Sequence, residues 1–378
     1  MIANVRRRAT SSASAQSESA RQPCRNGAVT GSRAKTKTSW RWIGSHALAG
    51  LAAALAALPA AALDKVTFGT NWKAQAEHGG YYQAVVDGTY EKYGLDVTIR
   101  QGGPNINHPQ LLAAGKIDFN MGGNMFAAFN YLTNDVPMVT VAAAFQKDPQ
   151  ILMVHPDSPY KSLADLKGVT LLIGKGGQIT FWQWLKKAYG FSDEQIRPYT
   201  FNPAPFIANK DWGQQGYVTS EPFAVERVGG FVPRVFLLAD NGYASYSTTV
   251  ETSWKLVDEN PDLVQRFVDA TALGWVNYLY GDHRAADELI KRDNPDISDD
   301  QLAYSIAKMK QYGIVDSGDT ETLGINAMTD ARWQSFYRFA VDAGLYRDGL
   351  PLAERGYTLR FVNKGVGLDR KRELLGKQ

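Results

Sequence analysis

From Val66 onward the hydrophobic positions switch between two periods. Short β-branched and aromatic runs, such as VTFGTNW at 66–72, alternate with stretches whose apolar residues recur every three or four positions. That is the pattern of strands alternating with amphipathic helices. It predicts strands at 66–72, 95–100, 117–121 and 138–145, with helices at 80–93, 109–114 and 126–132 between them. Gly94 and Gly115 close two of these helices. The unbroken apolar run 138–145 has the character of a strand at a sheet centre.

A second set follows the polar stretch Gln146-Lys147-Asp148-Pro149. Strands are expected at 151–155, 169–173, 215–218, 235–238 and 248–252. Helices are expected at 163–167 behind a Ser162 cap, at 180–189 and at 221–228. Beyond residue 252 the pattern is helical, at 254–258, 261–280, 284–293, 298–313 and 329–343. No repeat of solenoid length is present.

The fold class expected from this order is α/β, with mostly parallel sheets wrapped by helices. Helices without strands of their own must pack on an existing sheet, so the helical part is expected on the first lobe. The chain then crosses between lobes twice, near 146–149 and 244–249, giving a hinged two-lobed clamp. The lobes are 63–147 plus 248–345 and 148–247, followed by a tail at 346–378. The last stretch, 364–378, is expected to fray.

Composition changes the picture at the N-terminus. Residues 47–62, ALAGLAAALAALPAAA, form a short apolar run behind a basic leader and end in small residues at 60 and 62. This resembles an export signal cleaved near Ala62. A membrane anchor would need about 20 apolar residues. The chain has 41 Lys and Arg against 38 Asp and Glu. Nine of the basic residues but one acidic residue precede Leu63, so the remainder carries five more acidic than basic groups. That balance gives no electrostatic footprint for nucleic acid. The single cysteine, Cys24, lies in the leader, which excludes disulfides and thiolate metal sites from the rest. No HExxH or His/carboxylate cluster occurs, and no cofactor or metal is expected.

Within this frame, Tyr93-Gly-Leu-Asp-Val97, Leu112-Ala-Ala-Gly-Lys-Ile-Asp-Phe119 leading into Gly122-Gly123, and Ser162-Leu-Ala-Asp-Leu-Lys-Gly168 resemble solute-binding proteins of nitrate/taurine-type ABC importers. The resemblance covers most of 64–345. Asn71-Trp72, Tyr81-Tyr82 and Gly216-Tyr-Val-Thr-Ser-Glu-Pro222 are similar to the branch that includes thiamine-pyrimidine precursor binders and the related pyrimidine synthases. It implies a type II periplasmic clamp, a small-molecule ligand, an inner-membrane permease partner and a monomer. The synthases depend on a cysteine-rich motif, which is missing after the leader.

Ligands of open α/β sheets sit beyond the carboxyl ends of strands. This nominates Asn71, Trp72, His78, Tyr81, Asn107, Gly123, Asn124, Gln178, Thr180, Tyr217 and Glu221. Trp72 either stacks on a flat ligand or fills the core. Asn71 can donate and accept hydrogen bonds. His78 and Tyr81 open a helix after Gly79-Gly80, facing the cleft or merely capping that helix. Gly123 and Asn124 serve either close ligand approach or a tight turn. Lys175-Gly-Gly-Gln178 lacks P-loop spacing, which leaves Gln178 and Thr180 as polar contacts. Glu221 either accepts hydrogen bonds from ring amino groups or complements a helix dipole. With the aromatic residues nearby, the expected cargo is a planar, pyrimidine-like nitrogen heterocycle. The alternatives are a sulfonate, nitrate or aromatic carboxylate reached by Lys175 or Arg100, or a synthase-like enzyme.

Overall fold

The computed structural model describes residues 62–103 and 106–376. The export signal expected ahead of Leu63 lies outside the described residues, apart from Ala62. Ten strands are formed among them: β1 (Asp64–Gly69), β2 (Leu95–Arg100), β3 (Phe119–Asn124), β4 (Met138–Phe145), β5 (Gln150–Val154), β6 (Leu171–Ile173), β7 (Ile196–Pro198), β8 (Gly213–Tyr217), β9 (Arg234–Leu237) and β10 (Ser247–Ser253). They make two five-stranded sheets, in the orders β2-β1-β3-β10-β4 and β7-β6-β8-β5-β9.

Both sheets are mixed, which corrects the expectation of mostly parallel ones. β1 runs parallel to β2 and β3, while β10 is antiparallel to β3 and β4. β6 is parallel to β7 and β8, while β5 is antiparallel to β8 and β9. The reason is topological. β4 hands the chain to the second sheet and β10 brings it back, and a returning strand inserted beside β3 must run against it.

β4 is wholly buried but lies at a sheet edge, not at its centre. The C-terminal part of the chain covers that edge. Ala143 donates its backbone N–H to the Asn326 carbonyl at 3.3 Å, and Thr358 donates to Thr140 at 2.9 Å. An apolar strand can occupy an edge when other chain satisfies its backbone.

Helices flank the strands where the 3.6 period predicts them. The helix at Pro261–Tyr280 starts at Asn260, whose side chain accepts from Leu263 N at 3.2 Å, and has Pro at its first position. It packs on the helix Gly79–Val86, and the close contact requires small residues. A Cβ on Gly274 would lie 2.2 Å from the Gly80 carbonyl. The helical part therefore rests on the first sheet. Sequence reasoning missed the three-residue β7 and the helix Ala204–Ala208, both too short to show a period.

Of the stretch expected to fray, the described residues 364–376 do not do so as a whole. Leu368–Leu374 is a helix. Arg370 Nε donates to Asn277 Oδ1 at 3.1 Å, and Lys371 Nζ pairs with the nearly buried Asp316 at 2.5 Å. A charged sequence looks solvated until its partners come from elsewhere in the chain.

Between the sheets the chain passes at 146–149 and again at 238–246. Arg332, from the helix Asp330–Asp342, spans both passages. It donates to the carbonyls of Gln146 on one, and of Ala244 and Ser245 on the other, and its guanidinium lies 4.0 Å from the centre of the Tyr246 ring.

Candidate ligand cleft

Gly216-Tyr-Val-Thr-Ser-Glu-Pro222 has a local physical logic. β8 ends at Tyr217, and the helix Glu221–Gly229 begins four residues later with Pro222 in its first turn. Glu221 folds back onto the strand end, where its Oε2 accepts the Tyr217 N–H at 2.7 Å. A Cβ on residue 216 would sit 2.6 Å from Glu221 Cβ, so glycine is needed to admit that fold-back. The Tyr199 hydroxyl reaches the other Glu221 oxygen at 3.4 Å. Burial raises the Glu221 carboxyl above the usual carboxylate range.

A second carboxyl arrives from the first lobe. Glu77, in the turn before the helix Gly79–Val86, accepts a hydrogen bond from the Thr219 hydroxyl. It is 3% exposed. Burial, with Glu221 nearby as a lesser cause, pushes its pKa up to about 7. Thr219 is itself held by Ser305 Oγ, which donates to its carbonyl at 2.7 Å. A third carboxyl, Asp148, lies on the first passage between sheets. It accepts the Gln150 N–H at 3.0 Å, and the Asn124 side chain nearby favours its charged form. Burial pushes it up to about 7 as well. Burial, with Asp148, Glu221 and Glu77 as lesser causes, raises the Tyr217 phenol above its ordinary range.

Aromatic residues meet across the same gap. The half-buried Trp72, just after β1, has its ring centre 5.5 Å from that of Phe201, tilted by 38°. Phe201 follows β7, is 63% exposed and holds φ at +62°. A bulky residue rarely adopts that left-handed backbone.

The structure therefore groups Trp72, Asn124, Tyr217 and Glu221 with Thr219 of the same nominated stretch, and it adds Glu77, Asp148, Tyr199 and Phe201, which sequence reasoning did not nominate. Asn71 stays beside them, exposed after β1, with Oδ1 3.2 Å from His78 Nε2. His78 is buried with Nδ1 unpartnered, and burial pulls its pKa down to about 3. Gly123 is exposed with open space where a Cβ would be.

Four nominated residues are engaged elsewhere. Tyr81 is fully buried against Phe68, with ring centres 4.3 Å apart, so it is a core residue. Asn107 accepts from Gln110 N at 3.2 Å and caps the helix His108–Ala113. Thr180 gives its hydroxyl to the Gly176 carbonyl at 2.8 Å, and Gln178 gives its amide to Ile173 at 3.3 Å. Polar side chains in a glycine-rich turn satisfy their own backbone first. The missed residues carried one visible signal, the acidic pair-breaking sequence Asp148-Pro149 at the first passage. Glu77 carried none.

Among the described residues, no lysine or arginine pairs with Glu77, Asp148 or Glu221. None of the His, Cys, Asp and Glu residues described cluster as a metal site. No described helix is long and apolar enough to cross a membrane.

Two mixed sheets joined by two passages, with helices returning to the first, define the two-lobed periplasmic-binding-protein class of α/β fold. The fold is similar to the periplasmic aliphatic sulphonate-binding protein SsuA of Escherichia coli, with TM-score 0.58 and 15% identity over 77% of this chain and 91% of SsuA. It is also similar to the desulfurization enzyme DSZB, with TM-score 0.53 and 16% identity over 82% of this chain and all of that one. Identities this low speak to the fold alone.

The chain matches the NMT1/THI5-like family over residues 75–282, more than half its length, and belongs to that family. It is 26% identical over 237 residues to the riboflavin-binding protein RibY of Chloroflexus aurantiacus. That alignment takes in 60% of this chain and 65% of RibY, just under two thirds of the relative.

Proposed function

We propose that this protein is the solute receptor of an ABC importer, exported to the periplasm, which closes its two lobes on a flat nitrogen heterocycle and passes it to a membrane permease. Membership of the NMT1/THI5-like family, the clamp fold and the signal-like leader support the receptor role. The observation that carries the ligand class is Glu221. It sits at a strand end among aromatic rings, with acceptor capacity to spare and no basic residue paired to it. A carboxylate there favours ring N–H and amino donors and repels oxyanions.

The relative RibY is a riboflavin-binding protein, which supports a heteroaromatic cargo here. Arg100 and Lys175, the cations a sulfonate would need, are both exposed. Affinity would come from stacking on Trp72 and a few oriented hydrogen bonds, with closure adding lobe-to-lobe contacts. The reading needs no covalent chemistry.

A thermal-shift screen of residues 63–378 against pyrimidines, purines, flavins, sulfonates and aromatic acids tests it. Heterocycles should stabilise the protein, and Trp72→Ala and Glu221→Gln should weaken any hit. Stabilisation by sulfonates alone, or binding unchanged in both variants, would overturn the proposal.

A further inference from the structure

The helix Asp299–Tyr312 is pinned to the first lobe at both ends. Just before it, Asn294 donates its side-chain amide to the Ala74 carbonyl at 2.8 Å, and the helix itself packs on the turn Ala76–His78. Just after it, Asp316, whose side chain is nearly buried, accepts the Tyr280 hydroxyl at 2.6 Å. Tyr280 ends the long helix that rests on the first sheet. Close to that second anchor, the Ile314 carbonyl takes the backbone N–H groups of Gln146 and Lys147, at 2.7 and 3.1 Å, on the first passage between sheets.

The middle of the same helix grips the second lobe. Asp300 and Tyr304, one turn apart on a single stripe, meet Phe223 and Arg227, one turn apart on the helix Glu221–Gly229. The Tyr304 and Phe223 ring centres lie 5.4 Å apart, and Arg227 Nη1 is 3.4 Å from Asp300 Oδ2. Next to Tyr304, Ser305 Oγ lies 2.7 Å from the Thr219 carbonyl and 2.8 Å from the Gln301 carbonyl of its own helix. Its one proton keeps an acceptor when Thr219 leaves, so release strands no buried donor. The Arg227–Asp300 pair is exposed on both sides and adds little. The half-buried ring pair is therefore the main grip, and the contact as a whole is reversible.

A helix fixed at both ends to one lobe cannot follow the other. Rotation of the second lobe about the two passages must slide Phe223 past Tyr304 and draw Thr219 away from Ser305. We infer that the helix Asp299–Tyr312 is a latch, built into the first lobe, that holds the second lobe in the arrangement of this structure through Tyr304 on Phe223 and Ser305 on Thr219. A ligand shifts a two-state equilibrium only by its differential affinity for the two states, so the bias of the latch adds to or subtracts from the affinity of any guest that prefers one arrangement. The latch stands on the fold and not on the class of ligand.

Spin labels on Lys116→Cys and Lys187→Cys, exposed positions in the first and second lobes, report the separation of the lobes. The full chain is used with Cys24→Ser, which leaves the introduced thiols as the only ones. Double electron–electron resonance should give one narrow distance with the latch intact. Tyr304→Ala should raise the population outside that distance at least about threefold, and Ser305→Ala should raise it by less. Tyr304→Phe, which keeps the ring, should match the parent. Ala307→Gln, at an exposed position of the same helix, should do so too.

An unchanged distance distribution in both Tyr304→Ala and Ser305→Ala would overturn the inference, as would equal broadening by Ala307→Gln. Should Tyr304→Ala fail to fold, Ser305→Ala decides the matter alone, because its neighbours keep their packing. The receptor reading does not depend on either outcome.

Discussion

The Glu77 carboxyl accepts a hydrogen bond from the Thr219 hydroxyl, joining a turn of the first lobe to the loop after β8 in the second. Both residues are buried, so water does not compete for the contact. Its strength depends on proton occupancy, since Glu77 is pushed up to about 7 by burial.

The sign for stability follows from linkage. A carboxyl whose folded pKa is raised holds its proton while the unfolded chain has lost it, so its contribution falls as pH rises from about 4.5 through about 7. Asp148 and Glu251, the latter buried in β10, are both pushed up to about 7 and act in the same direction. His78, pulled down to about 3, acts oppositely below its ordinary value of 6.5. The ligand-free protein should therefore lose melting temperature between about pH 5 and 7.5, and Glu77→Gln should flatten that slope by an amount on the order of 3 kcal/mol. Melting curves across pH check this, and an unaltered slope in the variant would refute it.

Arg332 brackets the two passages between the sheets through three backbone carbonyls. Arg332→Ala leaves those acceptors, of which Gln146 and Ser245 are buried, without their charged donor, at a cost of about 2–4 kcal/mol. Arg332→Lys, which lacks the planar fork, should recover only part of it. Urea denaturation gives the loss. Small-angle scattering should also show a larger radius of gyration for the alanine variant, since the bracket limits hinge opening.

Phe201 places an exposed ring on a left-handed backbone. Phe201→Gly removes that strain and so should leave stability unchanged or raise it by up to about 1 kcal/mol. Binding of whichever heterocycle the screen finds should weaken in the same variant. Stability lost along with binding would mean that the ring is a packing residue.

The contact between Gly80 and Gly274 tolerates no side chain, because a Cβ on Gly274 would approach the Gly80 carbonyl to 2.2 Å. Gly274→Ala should separate the helices Gly79–Val86 and Pro261–Tyr280 and cost about 3 kcal/mol or prevent folding. The denaturation midpoint measures this, and a loss below about 1 kcal/mol would contradict the packing described.

Much of the fold was legible in the chain because helices and strands declare themselves by period. Pro261–Tyr280, Arg284–Asp293 and Met138–Phe145 fall at the bounds that their apolar spacing predicts. The Gly-Tyr-x-x-x-Glu-Pro stretch was legible too, since its parts meet within one turn. Its logic is local: a glycine that yields space, an N–H that binds the carboxylate, and a proline that starts the helix.

What the sequence determined by itself was whatever depends on neighbours a few residues apart: the elements, the acidic balance after the leader, and Glu221 at a helix start. Tertiary structure decided the rest. It sent Tyr81 into the core, put β4 at a covered edge, gave the charged C-terminal stretch a helix with partners, and brought Glu77 and Asp148 to Glu221. Those outcomes depend on groups distant in sequence sharing one small volume, where burial changes their charge cost, and no local period records that.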